Sequence, residues 1–465
     1  MTIRRATSRK GGSQARPYLA AFIMGLLIVA AACGNGEKDR IALVGGTVID
    51  VNDGSTIENA VVVIYKTRIE TVTPAAGFEI PETAEQIDVS GRFLIPGLID
   101  AHTHVRRWAL GRFLAYGVTT VRDVHGSEDS IGALRDEVNL GAIPGPRMFV
   151  SGAMIDGSPA TFPDAGVATT PDESRRLVDE RVLNHADLIK VYTRITPELL
   201  RPIVVEAGTL SLPVAAHLGL TDAVTAGRAG VRSIEHLTGV PEAASSSPAR
   251  FYAAHAKSFF DGWNFFERSW GTLDSADLSR VAQTLAGSKV YLVPTLVLHD
   301  TYSRLDDPAV LSSSALAIVP DSEKTRWNVP QVIARAGWTP PDFVAFRESR
   351  ANQDLFIREF RSAGGILVTG TDAPGPMLIP GLTLHRELEL LVAAGLSTRD
   401  ALSAATRSAA ALLAADSMGR IAPGKVADIL ILSANPLDNI SNTQTIEKVV
   451  LRGLVHSADS IRAAW

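Results

Sequence analysis

The middle of the chain repeats one pattern eight times, a short apolar strand followed by a segment long enough to form a helix. Strands that alternate with helices form parallel sheets, because each helix leads the chain back to the end of the sheet where the strands begin. Over residues 96–419 this pattern predicts an α/β fold, a (β/α)8 TIM barrel with its chemistry at the carboxyl ends of the strands. The predicted strands are Gly97–His104, Val118–Asp123, Arg147–Gly152, Asp187–Tyr192, Pro213–Leu218, Val231–His236, Val290–Thr295 and Ile366–Asp372.

Side chains that can bind metal stand at the ends of five of these strands. His102 and His104 are two residues apart, and a strand alternates its faces, so both point the same way and can bind one ion. An isolated pair with this spacing is more typical of two surface histidines, and it is the other strand ends that favour a metal site. The candidate ligands are His102, His104, Lys190, His217, His236 and Asp372.

Lys190 is unusual because it lies within the apolar strand Leu188-Ile189-Lys190-Val191-Tyr192. Burying an unpaired ammonium group costs several kcal/mol, so the side chain either pairs with a carboxylate or is neutralised chemically. Addition of carbon dioxide gives a carbamate, an anion whose two oxygens can bridge two cations. Four histidines, a carbamate and an aspartate around two divalent ions make a site that can activate water.

The two ends of the chain are rich in strand patterns rather than helices. Residues 41–95 and 420–457 are expected to form one composite β-sandwich beside the central domain, because the turns between their apolar runs contain Asn, Asp, Gly and Pro. The predicted strands are Ile41–Ile49, Ala60–Tyr65, Arg68–Val72, Gln86–Val89, Ala427–Ser433 and Lys448–Leu451.

Residues 1–32 have the pattern of a signal peptide. A basic region without acidic residues precedes the apolar run Tyr18–Ala32, which is short for a membrane span. Cys33 follows three alanines and resembles the lipidation site of a bacterial lipoprotein, which predicts an exported protein of the cell envelope, anchored to a membrane. Ordinary secretion with an incidental Cys33 is the alternative. Cys33 is the only cysteine, so no intrachain disulfide is possible.

The charge balance argues against nucleic-acid partners. The whole chain has a net charge of −5, with 45 basic and 50 acidic residues. Five of the basic residues lie in the leader, so the remainder has 40 basic against 50 acidic residues, a balance of −10. A chain of this charge does not favour a polyanion.

Five motifs at the strand ends carry a family resemblance. They are PGLIDAHTH (96–104), DLIKVY (187–192), VAAHLG (214–219), SIEHLT (233–238) and VTGTDAP (368–374). In this order they resemble the amidohydrolase superfamily, and within it the binuclear, carboxylated-lysine type close to the Xaa-Pro dipeptidases. The resemblance extends over about residues 41–455, and the set of five is specific although each motif alone is weak.

The resemblance implies two divalent ions, with zinc expected, and a role for each ligand. His102, His104 and Asp372 would hold the more buried ion, and His217 and His236 the more exposed one. A carbamate on Lys190 and a hydroxide would bridge the two ions. Asp372 would accept the proton of that water and pass it to the leaving nitrogen. The implied reaction is hydrolysis of an amide C–N bond in a small molecule, such as a dipeptide or an N-acyl amino acid.

Other functions stay open. The same site can attack esters, lactones or phosphotriesters, and relatives that have lost ligands serve as non-catalytic scaffolds, although the complete ligand set argues against a scaffold. Adenosine-deaminase-like relatives carry a glutamate three residues after the fifth-strand histidine. Here that residue is Leu220, which argues against purine deamination.

Three residues are candidates for substrate binding. Alternation along the strand places Tyr192 on the same face as Lys190 and Arg194 just beyond the rim, where it can clamp a carboxylate. The sequence is equally consistent with a Tyr192 that only packs and an Arg194 that is only solvated. His125 follows the second strand and is a further pocket candidate. The aromatic-rich segment 251–270 is expected to form either a lid over the site or an interface with a second copy of the chain. In the second case the protein would be a homo-oligomer.

Overall fold

The computed structural model describes residues 39–463. The predicted signal peptide and Cys33 lie outside the described residues. In the described range, no helix has the length and apolar character needed to cross a membrane.

The described residues form eighteen strands and eighteen α-helices. The strands are Arg40–Ile49 (β1), Thr56–Tyr65 (β2), Arg68–Pro74 (β3), Ala84–Asp88 (β4), Phe93–Pro96 (β5), Leu98–Thr103 (β6), Val118–Asp123 (β7), Arg147–Val150 (β8), Ile155–Gly157 (β9), Gly166–Ala168 (β10), Ile189–Val191 (β11), Val214–Ala216 (β12), Ser233–Glu235 (β13), Tyr291–Val293 (β14), Ile366–Leu367 (β15), Ile429–Leu432 (β16), Ile446–Leu451 (β17) and Leu454–Ser457 (β18). The helices are Leu110–Ala115 (α1), Glu128–Asn139 (α2), Pro171–Leu183 (α3), Pro197–Thr209 (α4), Ala223–Ala229 (α5), Val240–Ala244 (α6), Pro248–Lys257 (α7), Phe259–Ser269 (α8), Ser275–Gly287 (α9), Leu296–Tyr302 (α10), Pro308–Leu311 (α11), Asp321–Trp327 (α12), Val329–Ala336 (α13), Pro340–Ser362 (α14), Leu382–Ala393 (α15), Thr398–Ala404 (α16), Arg407–Leu412 (α17) and Ala458–Ala463 (α18).

Strands from both ends of the described chain share one sheet. Its order is β18-β17-β16-β5-β1-β2-β3, and β4 also pairs with β1. The long strand β1 pairs in parallel with β4 along its first half and with β5 near its end. Strands β5 and β18 were not predicted from the sequence. The sheet buries a cluster that joins residues distant in sequence, such as Leu43, Val62 and Ile431.

The central strands pair in parallel, which confirms the α/β class. They form a three-stranded sheet, β6-β7-β8, and a seven-stranded sheet, β10-β9-β11-β12-β13-β14-β15. Backbone hydrogen bonds also link the two sheets. The Ala101 amide donates to the Thr369 carbonyl at 3.0 Å, and the Asp187 amide donates to the Val150 carbonyl at 2.8 Å. Each of the eight predicted central strands overlaps an observed one, while the short pair β9 and β10 was not predicted.

The helices that cover the parallel strands are amphipathic. In α9 the residues Leu278, Val281, Ala282 and Leu285 are buried, and their spacing places them on one face of a helix. The side chain of Asp274 accepts hydrogen bonds from the first-turn amides, which fixes where α9 begins. The sequence therefore encodes both the buried face and the start of the helix.

The two long connections between strands are helical rather than irregular. Residues 237–289 contain α6–α9, and residues 296–365 contain α10–α14. Phe266 and Trp270 are almost completely buried, as are Phe356 and Phe360 on α14. Much of the aromatic content of segment 251–270 therefore packs helices together. Phe259 and Trp263 are the members that reach the candidate site.

Candidate metal centre

His102 and His104 bring two imidazoles to the end of β6. The Nε2 atoms of both lie 3.1 Å from the same atom, Oδ1 of Asp372. Between them, Thr103 points elsewhere, and its hydroxyl donates to the Arg122 carbonyl at 3.0 Å. The alternation predicted from the sequence therefore places the two histidines on one side of the strand.

Asp372 lies at the centre of the cluster and is held there by an uncommon backbone conformation. Its φ of 64° is in the left-handed region, and its amide donates to the His102 carbonyl at 2.8 Å. Non-glycine residues in this region cost energy and are frequent at functional sites. Burial raises the pKa of the Asp372 carboxyl, but contacts with His102 and His104 outweigh burial and hold it well below the ordinary value. The carboxyl is therefore ionised at neutral pH.

His217 and His236 approach from the neighbouring strands β12 and β13. Their ring centroids are 4.9 Å apart, and the ring of His236 is 4.3 Å from that of His102. His236 Nε2 lies 4.0 Å from Asp372 Oδ1. Burial holds the pKa of both His217 and His236 well below the usual value, so both are neutral, the form that binds a metal ion.

Lys190 extends from β11 into the same region and is only 2% exposed. Its Nζ atom has no hydrogen-bond partner in the part of the chain that the structure describes. Burial lowers the pKa of the ammonium group to about 8, and the carboxylates of Glu235 and Asp372 act in the opposite direction. The sequence left two alternatives for Lys190, an ion pair with a carboxylate or chemical neutralisation. Among the described residues, Lys190 forms no direct pair with a carboxylate.

Groups outside the cluster orient three of its imidazoles. Nδ1 of His102 contacts Glu235 Oε2 at 2.6 Å, and Nδ1 of His104 contacts the His125 carbonyl at 3.3 Å. Nδ1 of His236 contacts the Thr295 hydroxyl at 2.7 Å. Partners at Nδ1 leave Nε2 of each ring directed at the centre, which is how metal-binding histidines are held.

The donor set fits divalent metal ions. Imidazole nitrogens and a carboxylate are typical zinc ligands, and the buried Nζ of Lys190 otherwise has no partner there. Ligand atoms of His102, His236 and Asp372 lie within 4.8 Å of one another. The structure thus brings all six predicted ligands to one region. His104 and His102 both lie nearer to Asp372 than His236 does, at 3.1 Å against 4.0 Å.

Glu235 was not predicted from the sequence as a functional residue, and it connects the cluster to other buried polar groups. Besides His102, its carboxylate contacts Arg122 at 2.8 Å and Ser233 Oγ at 2.5 Å. Burial raises the pKa of the Glu235 carboxyl, but Arg122 and His102 outweigh burial and hold it far below the usual range. A fully buried carboxylate that stays ionised can hold the Nδ1 proton of His102.

We expect Glu235→Gln to weaken metal binding by about 10- to 100-fold, the usual cost of losing a group that orients a ligand. The amide keeps the size of the side chain but cannot provide the same negative charge to His102. A competition titration with a chromophoric chelator measures the loss. Glu242→Gln is the matched control, since Glu242 is equally buried and contacts a different histidine, His255, at 2.9 Å. Equal affinities for Glu235→Gln and the unsubstituted protein would contradict the role given to Glu235.

Two further buried aspartates support the backbone that carries the ligands. Asp100 accepts from the Thr371 hydroxyl at 2.6 Å, beside Asp372. Asp123 accepts from the Val105 amide at 2.5 Å, next to His104. Burial raises the pKa of each carboxyl to about 7. Asp100 lies two residues before His102, so strand alternation was the signal that could have identified it.

The three candidate substrate residues have different surroundings. Tyr192 is buried, and its ring lies 4.5 Å from that of His217. His125 contacts Asp164 at 3.4 Å, and its ring lies 6.5 Å from that of His104. The Arg194 guanidinium donates to the Ala256 carbonyl at 3.1 Å, at the end of α7. Tyr192 and His125 therefore adjoin the cluster, while Arg194 is engaged by a neighbouring helix.

A parallel α/β fold with histidines, a lysine and an aspartate gathered where its strands end defines the class of metal-dependent hydrolases. The model of the amidohydrolase family matches residues 93–455, most of the chain. The chain belongs to the amidohydrolase family.

Individual relatives agree with this assignment at the level of the fold. The structure of bottromycin amidohydrolase has a TM-score of 0.70 and 21% identity, covering 92% of this chain and 89% of that one. A Xaa-Pro dipeptidase with bound methionine has a TM-score of 0.65 and 21% identity, covering 90% of this chain and all of that one. An adenine deaminase of Paracoccus denitrificans is 30% identical over 156 residues, and the match spans 31% of this chain and about a quarter of that protein.

Proposed function

We propose that the chain hydrolyses an amide C–N bond in a small molecule, such as a dipeptide or an N-acyl amino acid. The observation that carries the proposal is the convergence of His102, His104 and His236 on the carboxylate of Asp372. Membership of the amidohydrolase family supports the reaction class. The likeness to an adenine deaminase covers about a quarter of that protein, too little to favour deamination.

Two divalent ions, with zinc expected, would be held by four imidazoles, one carboxylate and a modified lysine. Bound there, the ions would lower the pKa of water and polarise the substrate carbonyl. The residues that would hold them are His102, His104, Lys190, His217, His236 and Asp372.

The modification proposed for Lys190 is a carbamate. A pKa of about 8 leaves roughly a tenth of the amine unprotonated at pH 7, and the neutral amine is the form that adds to carbon dioxide. The nitrogen forms a bond to the carbon of carbon dioxide and releases a proton. The product is an anion whose oxygens would serve as metal ligands, and the buried nitrogen would no longer be an ammonium group without a partner.

Asp372 is the proposed base of the reaction. Its ionised carboxylate accepts a proton from the attacking water and returns it to the leaving nitrogen when the C–N bond breaks. His102 and His104 hold the carboxylate in place from one side, and Glu235 holds His102. Tyr192 and His125 stand beside the cluster, where they can contact the substrate.

We propose further that the two parallel sheets form one closed (β/α)8 barrel. Hydrogen bonds between β6 and the segment after β15, and between residues 150 and 187, support closure at both junctions. In a closed barrel the ligand-bearing strand ends share one rim, as the cluster requires.

The test of the proposed function combines metal removal with a substrate panel. We expect the purified protein to hold about two divalent ions per chain and to lose activity when a chelator removes them. The panel contains dipeptides, N-acyl amino acids, lactones and phosphotriesters. Cleavage of the amides in preference to the others supports the proposal. Full activity without bound metal, or cleavage of lactones alone, would refute it.

A further inference from the structure

Four aromatic side chains form a continuous surface beside the candidate metal centre. We call this surface, made of Phe162, Tyr192, Phe259 and Trp263, the aromatic wall. Tyr192 lies 5.6 Å from Phe162 and stacks on Phe259 at 6.1 Å, and Phe259 stacks on Trp263 at 6.3 Å. Three of the four rings lie within 6.2 Å of the His217 ring. A molecule bound at the cluster therefore lies against this wall.

The loop that carries Phe162 is fixed although it connects two short strands. The buried carboxylate of Asp156 accepts from the Thr161 amide at 2.8 Å, and the hydroxyls of Thr161 and Thr193 are 2.9 Å apart. Phe162 follows directly and stays 39% exposed. A large apolar ring held at the surface by its neighbours is available to a ligand.

Helix α8 carries Phe259 and Trp263 and is tied to the metal centre itself. Trp263 stacks on His299 with an angle of 4° between the rings, and His299 Nε2 lies 3.2 Å from the His236 carbonyl. On the same helix, a Cβ added to Gly262 would lie 2.2 Å from His255 Nδ1. Because α8 packs this closely, the wall is a fixed surface rather than a mobile lid.

The charges around the wall do not suit an anionic group. Burial raises the pKa of Tyr192, and the carboxylates of Asp372 and Asp156 raise it further. One guanidinium N–H of Arg194 donates to the Ala256 carbonyl at 3.1 Å. A carboxylate placed against the apolar rings would lose its hydration, a cost that an uncharged group does not have.

We infer that the substrate places an uncharged aromatic or bulky aliphatic group against the aromatic wall, next to the bond that is cleaved. The inference rests on the proposed function and narrows its substrate class. It assigns Phe162 and Phe259 to substrate selection, together with Tyr192. Apolar rings at fixed positions favour a ligand that buries apolar surface on them.

Two series of amides test the inference with the metal-loaded, unsubstituted protein. In the first the acyl group varies, in phenylacetyl-, acetyl- and succinyl-glycine. In the second the amino acid varies, in N-acetyl-phenylalanine, N-acetyl-alanine and N-acetyl-aspartate. We expect kcat/KM for the aromatic member to exceed that of the small and acidic members by about 10- to 100-fold in at least one series.

Substitutions then locate the preference. Phe162→Ala and Phe259→Ala should each reduce the ratio of kcat/KM between the aromatic and the small substrate, with metal content measured in parallel. Phe265→Ala is the matched control, because Phe265 lies on the same helix but packs against Phe251. We expect Phe265→Ala to keep the ratio of the unsubstituted protein.

The outcomes separate the two proposals. If amides are cleaved without an aromatic preference in either series, the inference is wrong and the proposed function stands. The same holds if the preference survives both wall substitutions. If the metal-loaded protein cleaves no amide of either series or of the wider panel, the proposed function itself fails.

Discussion

Asp372→Asn is expected to lower kcat by about 10²- to 10⁴-fold, the usual value of a general acid–base group. Asparagine has the size of aspartate and keeps one oxygen that can bind a metal, but its amide cannot accept the proton of the attacking water. Folding should be nearly unaffected, because the backbone of residue 372 is held by the His102 carbonyl rather than by the side chain. Steady-state kinetics on the preferred amide, together with metal analysis of the same sample, measures the effect.

Asp187→Asn provides a control for the loss of a partly buried carboxylate. Asp187 accepts from the Val150 amide at 2.9 Å, on the connection that leads into β11 and outside the candidate centre. We expect its kcat to match that of the unsubstituted protein. If Asp372→Asn also keeps a normal kcat with its metal bound, another group must be the base, and His125 and Tyr192 would be tested next.

The sequence could predict the order of the central strands because each is an apolar run long enough to recognise, with a helix after it. It could not predict where every strand ends. The last one was expected over Ile366–Asp372, but regular strand stops at Leu367. Beyond it the backbone approaches β6 so closely that a Cβ at Gly370 would lie 2.7 Å from that of His102. Such a contact depends on the tertiary structure, and the periodicity of the sequence gives no information about it.

The ligand types could be predicted for a similar reason, since a polar residue after a buried strand is conspicuous. The groups that orient the ligands are not conspicuous in the sequence. Glu235 and His102 are 133 residues apart and come together only when β6 and β13 are placed in the fold. For Arg194, strand alternation indicates a direction and leaves open whether it clamps a carboxylate, but it could not show that the end of α7 accepts a hydrogen bond from the guanidinium. The short strands β9 and β10 are too brief to give a periodic signal.

Lys190→Met is expected to abolish metal retention and activity without destabilising the metal-free protein. Methionine fills a similar volume and removes a buried amine that has no hydrogen-bond partner within the described residues, so the free energy of unfolding should hold or rise. Removing a group that only orients a ligand lowers activity by roughly 10- to 100-fold. Lys190→Met should lower activity by more than that, because it removes a ligand. Chemical unfolding of the metal-free proteins and metal analysis of the loaded ones measure the two effects separately.

Lys190→Arg separates the carbamate from simple positive charge. Guanidinium remains protonated and cannot add carbon dioxide, so this variant should be as inactive as Lys190→Met although it keeps the charge. Short carboxylates added to a Lys190→Ala variant should restore part of the metal binding, because they can occupy the space of the missing anion. The unsubstituted protein prepared with ¹³C-labelled bicarbonate should give a carbamate carbon signal that none of these variants shows. An active, metal-loaded Lys190→Arg protein would mean that the lysine serves only the packing of β11, and the bridge between the ions would have to come from another residue.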